Sequence, residues 1–270
     1  MITPQPDAPA GPPTPPPGTA TPLVFAHRGA SAALPEHTLD AYLRAVAEGA
    51  DGLECDVRLT RDGHLICHHD RRLGRTSNGR GPVSARNLDE LHRLDFGSWR
   101  AGAAPASVLT LDRLLAVVRA AGRPLRLLID VKSPGRYSAH LERRLVALLD
   151  RHGLASAAPD DPVRVSVMSF SPMAVRRVHR LAPALPTVQL LNLLPPGVRL
   201  GRMPAGTRTA GLSLRLVRTR PALVPALRAA GYHVYVWTVN HRADIDLVVR
   251  QGVDGIITDY PAETLAHLGR

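Results

Sequence analysis

Two stretches of this chain set carboxylates beside histidines and cations at spacings that could do chemistry. From Glu54 to Asp70 the order is Glu54-Cys55-Asp56, a turn at Asp62-Gly63, then His68-His69-Asp70. Residues i and i+2 of a strand share a face, so Glu54 and Asp56 point together, away from the apolar face of Leu53, Cys55, Val57 and Leu59. Carboxylates so placed need solvent or a cation. In the second stretch, Leu127-Leu128-Ile129-Asp130-Val131-Lys132, Asp130 and Lys132 share a face. Lys132 is the one lysine among 34 basic residues, which marks a place for a compact ammonium where a planar guanidinium would not fit. Three carboxylates (Glu54, Asp56, Asp130) suit one hard divalent cation, Ca²⁺ or Mg²⁺, with water completing the shell. Such a cation beside Arg28 and Lys132 suits an anionic, oxygen-rich group, most simply a phosphate. Histidines flanking that position titrate near neutrality and could act as base and acid. The residues by themselves point to metal-assisted phosphoester cleavage by a histidine pair.

The elements that must position these residues follow from periodicity. Residues 1–21 hold eight prolines among Gly, Ala and Thr, a composition expected to stay disordered. Order is expected over 22–270 as a single domain. Leu23–Ala26 reads as a buried strand delivering His27, and His37–Glu48 as a helix capped by Thr38. Gly52–Leu59 is a strand, and Asp62-Gly63 a two-residue hairpin loop into His64–His69. That register pairs Arg61 with His64, sets Asp56 across from His69, and leaves Cys55 and Cys67 on opposite faces, both free. Arg71–Val108 is an excursion with a short helix near Leu88–Leu94, part of an inserted segment at about 64–108; long loops of this kind are often functional. Helices and strands then alternate to a last helix from Ala262, including a strand over Gly211–Val217. Without the hairpin arm, eight strand–helix units remain, the count of a (β/α)8 TIM barrel with an insertion after its second strand. A doubly wound sheet is the alternative, but no Gly-rich phosphate loop follows the first strand. In a barrel the carboxyl ends of the strands line one mouth. Those ends carry His27, Arg28, Glu54, Asp56, Asp130 and Lys132, then Gln189, Ser213, Trp237 and Asp259.

Composition excludes several classes. The net charge of +11 invites nucleic acid or an anionic surface, but the arginines are scattered and aromatic residues are only 4%, too few to stack bases. No apolar run reaches the ~18 residues of a membrane span, so no stable membrane insertion is expected. The opening Met-Ile-Thr-Pro-Gln-Pro lacks the basic and apolar regions of a secretory signal, which makes the cytoplasm the expected compartment. Two cysteines are too few for a disulfide framework. The expected partner is a small-molecule phosphodiester; oligomeric state is not readable.

Six ordered motifs resemble those of glycerophosphodiester phosphodiesterases: His27-Arg28-Gly29-Ala30, Pro35-Glu36-His37-Thr38, Glu54-Cys55-Asp56, Leu65-Ile66-Cys67-His68-His69-Asp70, Trp237-Thr238-Val239-Asn240 and Gly252–Asp259. The resemblance spans about residues 23–262. It implies a (β/α)8 barrel with an insertion after the second strand, His27 and His69 as the acid/base pair, and Glu54 and Asp56 as metal ligands. Arg28, Glu36, Lys132 and Trp237 are then expected on the substrate. Hydrolysis of glycerophosphodiesters to sn-glycerol 3-phosphate and an alcohol is the implied reaction. The same site acting on lysophospholipids, and a catalytically silent phosphodiester-binding barrel, are the alternatives. Two positions depart from the family's usual pattern: His37 stands where Asn is common, and Asp130 where Glu is common.

Overall fold

The computed structural model describes residues 15–16, 18, 20–132, 138–156, 161–194, 203 and 207–270. Most of the Pro-rich segment expected over 1–21 lies outside them, as does much of the Pro/Gly-rich link after Leu191.

The apolar runs form one sheet: β1 (Leu23–His27), β2 (Gly52–Leu59), β3 (Leu65–Cys67), β4 (Leu125–Val131), β5 (Val163–Ser169), β6 (Thr187–Leu191), β7 (Thr209–Ser213), β8 (His233–Trp237) and β9 (Gly255–Thr258). The parallel order β1-β9-β8-β7-β6-β5-β4-β2 closes through a β1–β2 pairing, while β3 is an antiparallel arm on β2. Around the ring lie α1 (Leu39–Ala47), α3 (Leu111–Arg119), α4 (Ser138–Arg151), α5 (Pro172–Leu181), α6 (Leu214–Thr219), α7 (Leu223–Ala229), α8 (Arg242–Arg250) and α9 (Pro261–His267), with α2 (Leu88–His92) in the excursion between β2 and β4. This is the expected (β/α)8 barrel.

Alternation along each strand divides the core. On β2 and β4, Leu53, Cys55, Val57, Leu127 and Ile129 face outward and pack with Tyr42, Leu114, Leu115 and Leu145 of the helices. Phe25, Leu128, Met168, Val188, Leu190 and Ile257 fill the lumen. Gly52 and Gly255 are glycines because a Cβ there would stand 2.5 Å and 3.0 Å from the Phe25 ring. The lumen below the mouth is therefore packed, and polar side chains at the strands' carboxyl ends sit on an apolar floor.

Four local expectations are corrected. The hairpin has three loop residues, not two: Val57 pairs with Cys67, and the Thr60 N–H donates to the His64 carbonyl at 2.9 Å. Asp56 thus lies across from His68, whose N–H donates to the Asp56 carbonyl, and not across from His69. A one-residue shift moves every side chain of an arm to the other face. Cys55 and Cys67 consequently share the outward core, hydrogen-bonded to each other; both are free, but not because they point apart. Third, α1 starts at Leu39, with Thr38 as its cap, so His37 is outside the helix at a positive φ of 61°. Fourth, β7 stops at Ser213, whose hydroxyl accepts from the Leu216 N–H and starts α6, so Leu214–Val217 is helix, not strand. The excursion holds the expected short helix and a core of its own, Ile66, Leu73, Val83, Leu91, Phe96 and Val108.

Gly29, directly after the His27-Arg28 pair, combines a φ of 86° with a Cβ position 2.7 Å from the Ala41 backbone; Gly81 has a φ of 87° and open space. Left-handed backbone alone costs about 1–2 kcal/mol for a residue with a side chain. Gly81→Ala should lose about that much in urea denaturation, and Gly29→Ala clearly more, because backbone must also move.

Candidate active site

A cavity of about 270 Å³ opens at the carboxyl ends of the strands. His27, Arg28, Glu54, His69, Asp130 and Lys132 form one wall, and Met168, Phe170, Leu190, Trp237 and Ile257 the other. Phe170 and Trp237 meet edge to face at 5.4 Å, and the Lys132 ammonium lies 5.5 Å from the Phe170 ring centre.

Each histidine is held through Nδ1 by a carboxylate. His27, closing β1, has Nδ1 2.6 Å from Asp259 Oδ1. Asp259 also accepts from Ser31 Oγ at 2.9 Å and Asn240 Nδ2 at 2.6 Å. Burial would raise the Asp259 carboxyl, but these bonds, led by that from His27, hold it at about 2. His69, in the loop after β3, has Nδ1 2.6 Å from Asp70 Oδ1, and Arg75 donates to Asp70 Oδ2 at 2.7 Å. The Arg75 bond holds Asp70 well below the usual carboxylate range. Burial lowers His69, against the pull of Asp56. With Nδ1 engaged, Nε2 of each ring is the nitrogen left to act; that of His27 is 4.0 Å from Glu54 Oε2.

The acidic cluster lies between them. Lys132 Nζ bridges Asp130 Oδ2 at 2.5 Å and Asp56 Oδ1 at 3.0 Å. Asp56 Oδ2 meets Arg28 Nε at 3.0 Å and His37 Nε2 at 2.9 Å. Burial would raise Asp56, but the hydrogen bond from His37 and the charges of Lys132 and Arg28 hold it well below its ordinary value. Burial, then repulsion from Asp56, pushes Glu54 well up. Burial lifts Asp130 to about 6 despite Lys132, and its Oδ1 is buried without a hydrogen-bond partner.

Oxygen-only donors, mutual repulsion and an orphaned carboxylate oxygen are what a hard divalent cation would relieve, so the donor set fits such an ion. In the arrangement described, Arg28 and Lys132 take up much of the acidic charge, and among the described residues no three His, Cys, Asp or Glu stand at metal-ligand spacing.

His27, Arg28, Glu54, His69, Asp130, Lys132 and Trp237, foreseen as site residues, all line the one cavity. Asp56 is behind it, under Arg28 and Lys132. Glu36 does not line it either: it accepts from Arg28 at 2.9 Å and from Arg75 at 2.7 and 2.8 Å, and so braces both arginines. Sequence reasoning missed the roles of Asp70, Asp259 and His37. Asp259 was expected at the mouth as the end of its strand, but only the fold brings it to a histidine 232 positions away. His37 had signalled itself by replacing Asn. Its Nδ1 is 2.8 Å from the Tyr42 hydroxyl, which reaches the Glu54 carbonyl at 3.1 Å. Gln189 and Ser213 serve the frame, Gln189 donating to carbonyls at the β5 and β6 ends.

Comparison with known proteins gives a consistent neighbourhood. The model of the glycerophosphoryl diester phosphodiesterase family matches residues 27–263. The chain is 48% identical over 254 residues to a Mycobacterium tuberculosis protein named "probable glycerophosphodiester phosphodiesterase 1", covering 92% of each chain. It is 35% identical to the glycerophosphodiester phosphodiesterase of Bacillus subtilis, over 88% of this chain and 84% of that one. Among solved structures, an Oleispira antarctica phosphodiesterase in complex with the product sn-glycerol-3-phosphate superposes with a TM-score of 0.81 at 26% identity, covering 92% of this chain and 97% of the other.

Burial is the main cause that takes His37 from 6.5 down to about 4, against its bond with Asp56. The folded chain thus excludes a proton that the unfolded chain takes up near pH 6.5. Stability present above pH 6.5 should fall as pH drops towards 4, by roughly 3 kcal/mol from this group. Urea denaturation between pH 7 and pH 4 checks this: His37→Asn should show a shallower loss than the parent, and equal slopes would refute it.

Proposed function

The chain belongs to the glycerophosphoryl diester phosphodiesterase family, and on that premise we propose that it hydrolyses glycerophosphodiesters to sn-glycerol 3-phosphate and an alcohol by a His27/His69 acid/base pair. The observation that carries this reading is the pair itself. Both rings are anchored at Nδ1 by a carboxylate, and both border a cavity whose wall also presents Arg28 and Lys132.

A phosphate between Arg28 and Lys132 meets two cations that are already in place. Their charge offsets that which grows on the phosphoryl oxygens, with no reorganisation at the moment of reaction. An imidazole that donates Nδ1–H to a carboxylate keeps its Nε2 lone pair for accepting a proton, and the carboxylate stabilises the imidazolium that forms. One histidine takes the proton from water or from the neighbouring glycerol hydroxyl, and the other gives one to the leaving alcohol. A Ca²⁺ or Mg²⁺ ion bound by Glu54 and Asp130, with Asp56 behind, would add positive charge at the phosphoryl oxygens. Trp237 and Phe170 form the wall available to the alcohol.

That apolar wall supports a second reading, action on lysophospholipids, and Met173 and Leu193, which follow β5 and β6 in sequence, are exposed apolar residues. Among the described residues no helix is long and apolar enough to cross a membrane.

Incubation with glycerophosphocholine should release choline, and EDTA should stop the release; no release with any divalent metal would overturn the reading. Lysophosphatidylcholine as a parallel substrate separates the two diester classes. His27→Ala and His69→Ala should each lower kcat by about 10²–10⁴-fold. Asp259→Asn should lower kcat with little change in KM, as removing the partner that fixes the imidazole does.

A further inference from the structure

The inserted segment reaches the loop after β1 through the guanidinium of Arg100. Asp95 Oδ1 accepts from the N–H groups of Gly97, Ser98 and Ala106 at 2.8, 3.2 and 3.0 Å, and Phe96 is buried in the segment's own core. A Cβ on Gly97 would stand 2.0 Å from the Ala104 carbonyl oxygen, so the chain doubles back closely on itself there. Arg100 extends from this fixed base. It is half-buried, and among the described residues its side chain bonds only to carbonyls of one turn. Nη1 donates to those of Ser31 at 2.6 Å and Leu34 at 3.1 Å, and Nη2 to that of Ala32.

The same turn meets the histidine anchor. The Ala32 N–H donates to the Asp259 carbonyl at 3.0 Å, and the Ser31 hydroxyl lies 2.7 Å from the His27 carbonyl and 2.9 Å from Asp259 Oδ1. That carboxylate oxygen is the one 2.6 Å from His27 Nδ1. A cation 69 positions from Ser31 in the chain thus reaches the anchor of the His27 imidazole through a single residue.

We propose that Arg100 is a positioning residue for the His27–Asp259 pair: it fixes the turn from which Ser31 reaches Asp259, and so couples the inserted segment to one half of the acid/base pair. The assignment rests on the diesterase reading of the cavity. Water could satisfy carbonyls at a half-buried place, so what three charge-assisted bonds add is a fixed location for the turn. Arg100 does not line the cavity, and its effect on the reaction passes through that turn. The phosphate-facing cations Arg28 and Lys132 are held instead by Glu36, Asp56 and Asp130, so the effect belongs in kcat and not in KM.

The test is release of choline from glycerophosphocholine, with a divalent metal, by the parent chain, Arg100→Ala, Ser31→Ala and the double variant. Arg100→Ala should lower kcat roughly 10- to 100-fold, the cost of a misplacement of up to about 1 Å, and change KM less than about two-fold. The double variant should be no slower than the slower single variant, because both changes break one series of contacts. A support that was only structural would lower the urea midpoint and leave kcat per folded molecule at the parent value. Arg100→Ala with the parent kcat, or losses that multiply in the double variant, would overturn the proposal alone. Should Arg100→Ala fail to fold, Arg100→Lys, which keeps the charge and loses the planar fork, takes its place under the same two criteria. No choline release by the parent chain with any divalent metal would overturn the diesterase reading and the positioning role with it.

Discussion

Parallel pairing of β2 with β4 sets Asp56 directly beside Asp130, and pairing of β1 with β2 sets Glu54 beside His27. Two carboxylates side by side on neighbouring strands repel, and burial magnifies the repulsion. Lys132, two residues beyond Asp130 on the same face, spans both, and Arg28 closes the cluster from β1. The rest of the mouth depends on this balance. Remove the cations and the acids cannot stay buried and charged; remove the acids and Lys132 stands unpaired above an apolar floor, with Arg28 left to Glu36. The chain's one lysine occupies the point where a compact charge must reach two oxygens on adjacent strands.

The balance also explains the unusual backbone. Arg28 and His37 both hold positive φ, and the His37 N–H donates to the Arg28 carbonyl, so the loop after β1 folds back over the acids. That fold sends Arg28 and His37 to the same oxygen of Asp56. Strain of this kind, of order 1–3 kcal/mol per residue, persists where surrounding contacts over-determine it. Tyr42 supplies one such contact by tying His37 to the carbonyl of Glu54.

The two histidines have the same logic in different settings. Asp259 holds His27 from the strand that neighbours β1 in the ring. Asp70 holds His69 from the adjacent residue and is itself fixed by Arg75, which also grips Glu36. One wall of the mouth is thus a continuous ionic network, and the facing wall from β5, β6, β8 and β9 is apolar. A phosphodiester has a charged centre and an organic substituent, and the mouth offers a surface to each.

The order of motifs along the chain determined the barrel, the inward face shared by Glu54 and Asp56, and the pairing of Asp130 with Lys132. All three follow from local periodicity, which tertiary contacts only reinforce. The hairpin register was not legible, because the turn residues Asp62-Gly63 suit two- and three-residue loops equally well, and only packing of Cys55 and Cys67 into the outer core selects between them. His37 read as the first residue of a helix, since nothing local says that its imidazole will cap Asp56 instead. Asp259 read as a strand-end residue of the mouth with no partner named, because that partner is at the other end of the chain and closure of the ring alone makes β9 and β1 neighbours. Sequence fixes what each strand end carries; only the closed barrel decides which ends meet, because contacts such as His27–Asp259 and Lys132–Asp56 join residues far apart in the chain.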